Sequence, residues 1–359
     1  MTKTLIIAEA GVNHNGDEKL AFELVDAAYK AGADIVKFQT FKAKNLVTSK
    51  AKQAEYQTAN TQKEESQLSM LSRLELSYEF HHELVKRCNE LGIEFLSTAF
   101  DSESLDFLVN DLGIKRLKLP SGEITNAPLV LEHARTGCDI IVSTGMASLA
   151  DVEKALGVIA FGYLSNEEHE PTLEAFETAY ASEEGQKLLQ EKVTILHCTT
   201  EYPAPMDEIN LRAMDTLAQA FGLKAGYSDH SEGIVIPIAA VARDAVLIEK
   251  HFTIDKSLEG PDHKASLEPD ELAQMVEGIR RVDIALGSRV KKPTISEVKN
   301  KEIARKSLVA NQAIKAGESF NETNMVAKRP GSGLSPYYYW QYLGKTATKD
   351  YEAGDLISE

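Results

Sequence analysis

Residues 224–252, KAGYSDHSEGIVIPIAAVARDAVLIEKHF, carry the pattern that decides the fold. The segment begins and ends with short runs, 224–228 and 246–252, that are rich in apolar residues and contain polar residues near their ends. The residues between them, 231–243, are mainly apolar and long enough for a helix. A strand, a helix and a second strand in this order predict a right-handed βαβ unit with two parallel strands.

The same unit repeats along the chain. Apolar or β-branched runs predict eight strands at 5–10, 35–40, 93–98, 116–120, 139–144, 193–198, 224–228 and 246–252. Amphipathic stretches predict helices at 18–31, 78–91, 102–112, 148–161, 231–243 and 269–286. Near-continuous apolar runs are typical of parallel strands that are covered on both faces. Eight units favour a closed (β/α)8 TIM barrel, although the pattern alone leaves a doubly wound open sheet as an alternative.

The composition changes after Gly287, which indicates a second domain. We predict a catalytic barrel at 1–286, a linker at 287–302 and a small β-rich domain at 303–359, whose core is marginal alone and is expected to dock against another surface. Two connections are longer than a minimal barrel needs. Residues 41–77 predict a helical excursion or lid at the strand ends, and the acidic residues 165–192 predict a solvated helical insertion.

Composition and charge exclude several classes of protein. The 359 residues carry a formal net charge of −16, divided into −20 for residues 1–286 and +4 for residues 287–359. So acidic a chain is a poor candidate for general nucleic-acid binding. Apolar residues make up 43%, which excludes a disordered or fibrous chain. Three cysteines without a CxxC pair, and the absence of a signal peptide or membrane-length apolar run, predict a cytoplasmic protein without a membrane partner.

Polar side chains follow nearly every predicted strand. In a (β/α)8 barrel the active site lies at the C-terminal ends of the strands. His230 and His251 close two consecutive strands, so their imidazoles can converge on one point. Two imidazoles with oxygen ligands suit Mn²⁺, or a similar divalent ion such as Mg²⁺ or Co²⁺. The sequence therefore predicts a divalent metal site at these two histidines.

Cations, hydroxyls and carboxylates accompany the histidines. The cations are Lys37, Lys118 and Arg329, the hydroxyl groups belong to Thr98, Ser121 and Ser228, and the carboxylates are those of Glu9, Glu123 and Asp262. Lysine and arginine suit a substrate with phosphate or carboxylate groups. Ionised carboxylates accept hydrogen bonds from sugar hydroxyls, and one of them could act as a general acid or base. Together these groups predict carbon–carbon bond formation between an anionic donor and a polyhydroxylated aldehyde.

The chain resembles the sialic acid synthases over nearly its whole length. The barrel motifs occur in the order found in that family, and they are AEAGVNHNG (8–16), VKFQTF (36–41), LKLPSGE (117–123), STGM (143–146), LHCTTEYPAP (196–205), GYSDHSEG (226–233), EKHFTIDK (249–256) and GPDHKASLEP (260–269). ARKSLVA (304–310), AIKAGE (313–318) and KRPGSG (328–333) resemble the antifreeze-protein-like (SAF) domain of the same enzymes. The resemblance implies a metal-dependent condensation of phosphoenolpyruvate with an N-acylated mannosamine-type sugar.

The resemblance also implies a role for each matching position. The metal ligands would be His230 and His251, and the catalytic carboxylates would be Glu123 and Glu9. The phosphoenolpyruvate pocket would consist of Lys37, Gln39, Thr98, Lys118, Ser121 and Ser228. The sugar site would consist of Glu9, Tyr202 and Asp262, and Thr200 would be a further substrate-binding residue. Some family members have Asn where this chain has Thr200, which lacks the amide donor. Arg329 would reach the N-acyl group in the partner's site of a domain-swapped homodimer.

We predict an N-acetylneuraminate synthase that condenses phosphoenolpyruvate with N-acetylmannosamine, breaks the C–O bond and releases phosphate. The alternative is an N,N'-diacetyllegionaminate synthase, which performs the same chemistry on a 6-deoxy-diacetamido sugar. A remoter alternative is a Schiff-base aldolase with Lys37 or Lys118 as nucleophile. A non-enzymatic alternative, an ice- or carbohydrate-binding protein that uses only the C-terminal domain, leaves the polar strand ends unexplained.

Overall fold

Two compact units make up the chain, Met1–Gly287 and Ser288–Glu359. The structure is a computed structural model, and it describes residues 3–61, 63–165 and 169–358.

Eight parallel strands of the first unit close into a barrel in chain order, with β8 hydrogen-bonded to β1. The strands are β1 (Leu5–Gly11), β2 (Ile35–Thr40), β3 (Glu94–Ala99), β4 (Arg116–Leu119), β5 (Asp139–Ser143), β6 (Val193–His197), β7 (Lys224–Asp229) and β8 (Leu247–His251). The predicted barrel is therefore confirmed and the open sheet is excluded. Each predicted strand boundary lies within one residue of the observed one.

Helices surround the barrel. They are α1 (Glu18–Ala31), α5 (Tyr78–Leu91), α6 (Ser102–Asp106) with a π-helical turn at Phe107–Asp111, α7 (Ala127–Arg135), α8 (Leu149–Leu164), α11 (Arg212–Phe221), α12 (Val235–Ala242) and α13 (Pro269–Leu286). The sequence explains both ends of α1, because Asp17 caps the first turn and Gly32, with a φ of 81°, ends the helix. The sequence analysis named neither α7 nor α11.

The long connections hold short helices. The excursion, residues 41–77, contains α2 (Ala43–Leu46), α3 (Glu55–Thr61) and α4 (Gln67–Leu74). The acidic insertion contains α9 (Leu173–Ala181) and α10 (Glu183–Lys192), and part of it, residues 166–168, lies outside the described residues. Phe176 of α9 packs edge-on against Phe161 of α8, with ring centroids 5.2 Å apart.

An apolar layer inside the barrel lies directly below a polar one. The apolar layer consists of Ile7, Ile35, Leu96, Ile141, Leu196 and Leu247. Because side chains of a strand alternate between its two faces, the residue two positions further on points to the same side. In β1, β2, β3 and β8, the residue two positions after the apolar layer is Glu9, Lys37, Thr98 and Glu249, respectively. The parallel register therefore brings polar groups from strands far apart in sequence to one end of the barrel.

The second unit is small and has its own core. It contains α14 (Ile295–Ala304), the antiparallel strands β9 (Ser307–Ala310) and β10 (Met325–Lys328), and α15 (Tyr339–Tyr342). Its buried apolar residues are Leu308, Ala310, Ile314, Phe320, Met325, Ala347, Tyr351 and Ile357. α14 begins inside the predicted linker 287–302, where Thr294 and Glu297 form a capping box.

Candidate active site

Charged and hydroxyl side chains at the barrel's C-terminal end form one connected network, which we call the ionic floor. Its members are Glu9, Lys37, Thr98, Lys118, Ser228 and Glu249. Lys37 Nζ lies 2.7 Å from Glu9 Oε2 and 3.6 Å from Glu249 Oε2. Lys118 Nζ lies 3.3 Å from Glu249 Oε1, which also accepts a 2.8 Å hydrogen bond from Ser228. Glu249 thus holds both lysines in one place.

The pKa values of these groups follow from burial and from their neighbours. Burial opposes ionisation of Glu249, yet the charges of Lys118 and Lys37 hold its pKa below the ordinary value. Burial raises the pKa of Glu9 to about 7, although Lys37 opposes this shift. Burial also lowers the pKa of Lys118. Two lysines lie against the single carboxylate of Glu249, whose pKa is low, and such a cluster of ammonium groups favours an anionic ligand.

Two histidines meet beside the floor. The rings of His230 and His251 lie 5.6 Å apart, and the Tyr202 ring covers His230 at 4.1 Å. His230 Nδ1 lies 2.5 Å from the Thr199 carbonyl oxygen, so this nitrogen carries the proton and leaves Nε2 with a lone pair. Burial lowers the pKa of His230 to about 4 and that of His251 well below the ordinary value. Both imidazoles are therefore neutral, the form that binds metals.

This donor set fits a divalent cation. His251 Nδ1 is buried without a hydrogen-bond partner and lies 3.9 Å from Asp262 Oδ2. Within the described ranges, no three or more His, Cys, Asp or Glu side chains form a complete metal cage. A cation held by His230 and His251 would therefore take its remaining ligands from water and substrate oxygens, as hard divalent ions do.

The predicted sugar-binding residues lie at the same end of the barrel. Burial raises the pKa of Asp262 to about 6 and also raises that of Tyr202. Thr200 Oγ1 is buried and has no hydrogen-bond partner among the described residues, so it can bond a ligand. Gly145 allows this hydroxyl to approach, because a Cβ at that position would collide with Thr200 Oγ1. A side chain at position 145 would therefore disturb the site.

One cavity of about 300 Å³ joins all these groups. The predicted site residues that line it are Glu9, Lys37, Gln39, Thr98, Lys118, Ser121, Glu123, Thr200, Tyr202, Ser228, His230, His251 and Asp262. Glu123 is half-buried and accepts a 2.7 Å hydrogen bond from Asn126. Arg329 belongs to the second unit, where its Nε donates to the Ala304 carbonyl. The roles assigned to these residues stay predictions.

Two further polar residues of the barrel strands line the cavity, and no role was predicted for them from the sequence. Glu249 is the centre of the ionic floor, and the buried hydroxyl of Ser143 has no hydrogen-bond partner in the described structure. The signal for Glu249 was its position two residues after the apolar Leu247, which places it in the polar layer. The two lysines that contact Glu249 come from β2 and β4, so sequence spacing could not reveal these contacts.

Comparisons with known proteins agree with this architecture. Residues 24–291 match the NeuB family, and residues 305–359 match the SAF domain. The chain is 51% identical over 359 residues to the N,N'-diacetyllegionaminic acid synthase of Campylobacter jejuni, with 100% of both chains covered. It is 44% identical over 352 residues to the Legionella pneumophila enzyme of the same name, covering 98% of this chain and 92% of that one.

A solved structure shares the fold and the family. The crystal structure of N-acetylneuraminic acid (sialic acid) synthetase from Leptospira borgpetersenii, in complex with citrate, superposes with a TM-score of 0.66 at 31% identity. The match covers 83% of this chain and 90% of that chain. Among residues 3–61, 63–165 and 169–358, no helix is both long and apolar enough to cross a membrane.

Proposed function

The chain belongs to the NeuB family of sugar-acid synthases, and we propose that it is an N,N'-diacetyllegionaminate synthase. This enzyme would condense phosphoenolpyruvate with a 6-deoxy-diacetamido mannose-type sugar and release phosphate. Two relatives with this name are 51% and 44% identical over nearly the full chain, whereas the sialic acid synthetase structure is 31% identical. The comparisons support the predicted N-acetylneuraminate synthase only at the level of the family, and they favour the alternative.

The ionic floor is the observation that carries the proposed chemistry. Two lysines that are at most 4% exposed lie against the same carboxylate, Glu249, at the strand ends. Phosphoenolpyruvate has a phosphate and a carboxylate, which are anions that buried ammonium groups bind strongly. We infer that Lys37 and Lys118 bind this donor, with hydroxyls of Thr98, Ser121 and Ser228 as further hydrogen-bond donors.

The carboxylates supply proton transfer and sugar binding. A group whose pKa lies near 7 can both give and take a proton at neutral pH, and burial gives Glu9 this value. We infer that Glu123, near the mouth, accepts the proton of the water that adds to carbon 2 of the donor. Asp262, at 8% exposure, would accept hydrogen bonds from the sugar. The aldehyde carbon of the sugar is the electrophile for carbon 3 of the donor.

We propose that His230 and His251 hold a divalent cation such as Mn²⁺. When bound, the cation would supply a Lewis acid for the sugar aldehyde oxygen. The support is the pair of neutral, convergent imidazoles, of which His251 has a buried nitrogen without a partner. The ring of Tyr202 packs against both histidines and helps to hold the two imidazoles in place.

A substrate panel tests the proposed function. The wild-type enzyme is supplied with phosphoenolpyruvate and either the 6-deoxy-diacetamido sugar or N-acetylmannosamine, and kcat/KM is measured from phosphate release. We expect at least a roughly tenfold preference for the 6-deoxy-diacetamido sugar, since a few pocket contacts suffice for that discrimination. A preference for N-acetylmannosamine would instead identify an N-acetylneuraminate synthase. Failure to release phosphate with both sugars would contradict the condensation itself.

A further inference from the structure

The cavity has a second side that differs in chemistry from the ionic floor. Its residues, which we call the apolar wall, are Val12, Leu46, Met70, Leu71, Leu74 and Phe100. With Phe41 they pack into a hydrophobic cluster separate from the main core. Met70 and Leu74 are buried, while Leu46 and Leu71 are half-buried and keep surface toward the cavity. Most of the wall therefore comes from α2 and α4 of the excursion.

Contacts of α3 tie the excursion to the predicted sugar end of the site. Asn60 Nδ2 donates to the carbonyl oxygen of Pro261 at 2.7 Å and to that of Tyr202 at 3.4 Å. The ring of Tyr56 lies 5.1 Å from the ring of Tyr202. Pro261 directly precedes Asp262, so the excursion contacts both segments that carry the predicted sugar-binding side chains.

Toward the cavity, the excursion presents apolar side chains and amide groups but no charged side chain of its described part. Every side chain of its described part that lines the cavity is uncharged, and the polar members are Tyr56, Gln57 and Gln67. Such a surface suits methyl groups, and the amides can donate to and accept from an acylamino group. It does not suit a phosphate, and the cations of the cavity belong to the strands instead.

We propose that the apolar wall determines which sugar the enzyme accepts, an inference that rests on the proposed function. A 6-deoxy-diacetamido sugar has a methyl group at carbon 6 and an acetamido group at carbon 4, where N-acetylmannosamine has a hydroxymethyl and a hydroxyl group. The wall packs against the methyl groups of the first sugar. The same wall offers no hydrogen-bond partner to the additional hydroxyl groups of N-acetylmannosamine. A buried hydroxyl without a hydrogen bond is unfavourable.

Two polar substitutions test the wall, and one matched substitution controls for damage to α4. Leu71→Asn and Leu46→Asn introduce an amide into the wall from two different helices. Leu68→Asn makes the same change at a half-buried position of α4 that does not line the cavity. The readout is the ratio of kcat/KM for the 6-deoxy-diacetamido sugar to kcat/KM for N-acetylmannosamine, together with KM for phosphoenolpyruvate and the melting temperature.

We expect each wall variant to lower this ratio by about tenfold, which is within the range that a change in an apolar pocket produces. KM for phosphoenolpyruvate stays unchanged, and Leu68→Asn keeps the wild-type ratio. If one wall variant fails to fold, the other decides the outcome. An unchanged ratio in a folded wall variant, or an equal change in Leu68→Asn, would overturn the proposal. The wild-type ratio alone tests the proposed function, so the two failures are distinguishable.

Discussion

The ionic floor and the apolar wall of the cavity are held in place by different structural elements. The ionic floor consists of side chains at the ends of barrel strands, where hydrogen-bonded register fixes each Cα against its neighbour, as for Glu9 and Lys37. The apolar wall comes mainly from short helices in a connection of the barrel, which are held by packing and by a few hydrogen bonds such as those of Asn60. Under the proposed function, the barrel scaffold binds the donor, while a connection carries the part that varies with the sugar.

The largest effect is expected at the histidines beside the floor. His251→Ala removes one of the two predicted metal ligands, and a Lewis acid contributes several kcal/mol, so kcat/KM falls by about 10³-fold or more with either sugar. Mn²⁺ binding, measured by calorimetry on the metal-stripped protein, is lost as well. His82→Gln, an exposed histidine on α5, serves as the control and keeps both properties. Wild-type Mn²⁺ affinity in His251→Ala would refute the ligand assignment.

The next effect concerns the floor itself. Lys118→Met removes an ammonium group from the predicted phosphoenolpyruvate site, and we expect kcat/KM to fall by about 10²- to 10³-fold with both sugars alike. Glu249 keeps Lys37 as a partner, so the fold is retained. Lys42→Met serves as the control. Lys42 follows β2, lies over the Tyr78 ring and does not line the cavity. A loss confined to one sugar would show that the floor, too, selects the substrate.

We expect smaller and separable effects at two carboxylates that line the cavity, Glu123 and Asp262. Glu123→Gln keeps the shape but removes proton transfer, so kcat falls by about 10²-fold and KM changes little. Asp262→Asn weakens the sugar site, so KM for the sugar rises by about tenfold. Steady-state kinetics with each substrate varied in turn distinguishes the two. The reverse pattern would mean that the acid–base and binding roles are exchanged.

The sequence predicted the barrel because its strands are apolar runs covered on both faces, as in IVKFQT at 35–40. It also predicted a site at the strand ends, because polar residues end those strands, and the structure brings these residues to one cavity. The network around Glu249 could not be predicted, since its partners Lys37 and Lys118 lie on other strands and meet it only after the barrel closes. The apolar wall could not be predicted either, because most of its residues lie in a polar connection that has no continuous apolar face.

The sequence motifs also could not identify the sugar substrate. The motifs around Lys37, Lys118 and His230 belong to the floor and its neighbours, to which the proposed function assigns the donor and the metal rather than the choice of sugar. Leu46 and Leu71 stand outside those motifs. The motifs therefore predicted the reaction class, which the family match confirms, and their preferred sugar was N-acetylmannosamine, whereas the comparisons favour the 6-deoxy-diacetamido alternative.

A double-mutant cycle between floor and wall tests this division of roles most directly. Ser228→Ala removes a hydroxyl that donates to Glu249, and Leu71→Asn changes the wall. We measure kcat/KM for the 6-deoxy-diacetamido sugar in the wild type, both single variants and the double variant. If floor and wall act on separate parts of the substrates, the two effects multiply, with a coupling energy below about 0.5 kcal/mol. A coupling of about 1.4 kcal/mol, which is tenfold in kcat/KM, would contradict the account and show that the two sides act as one unit.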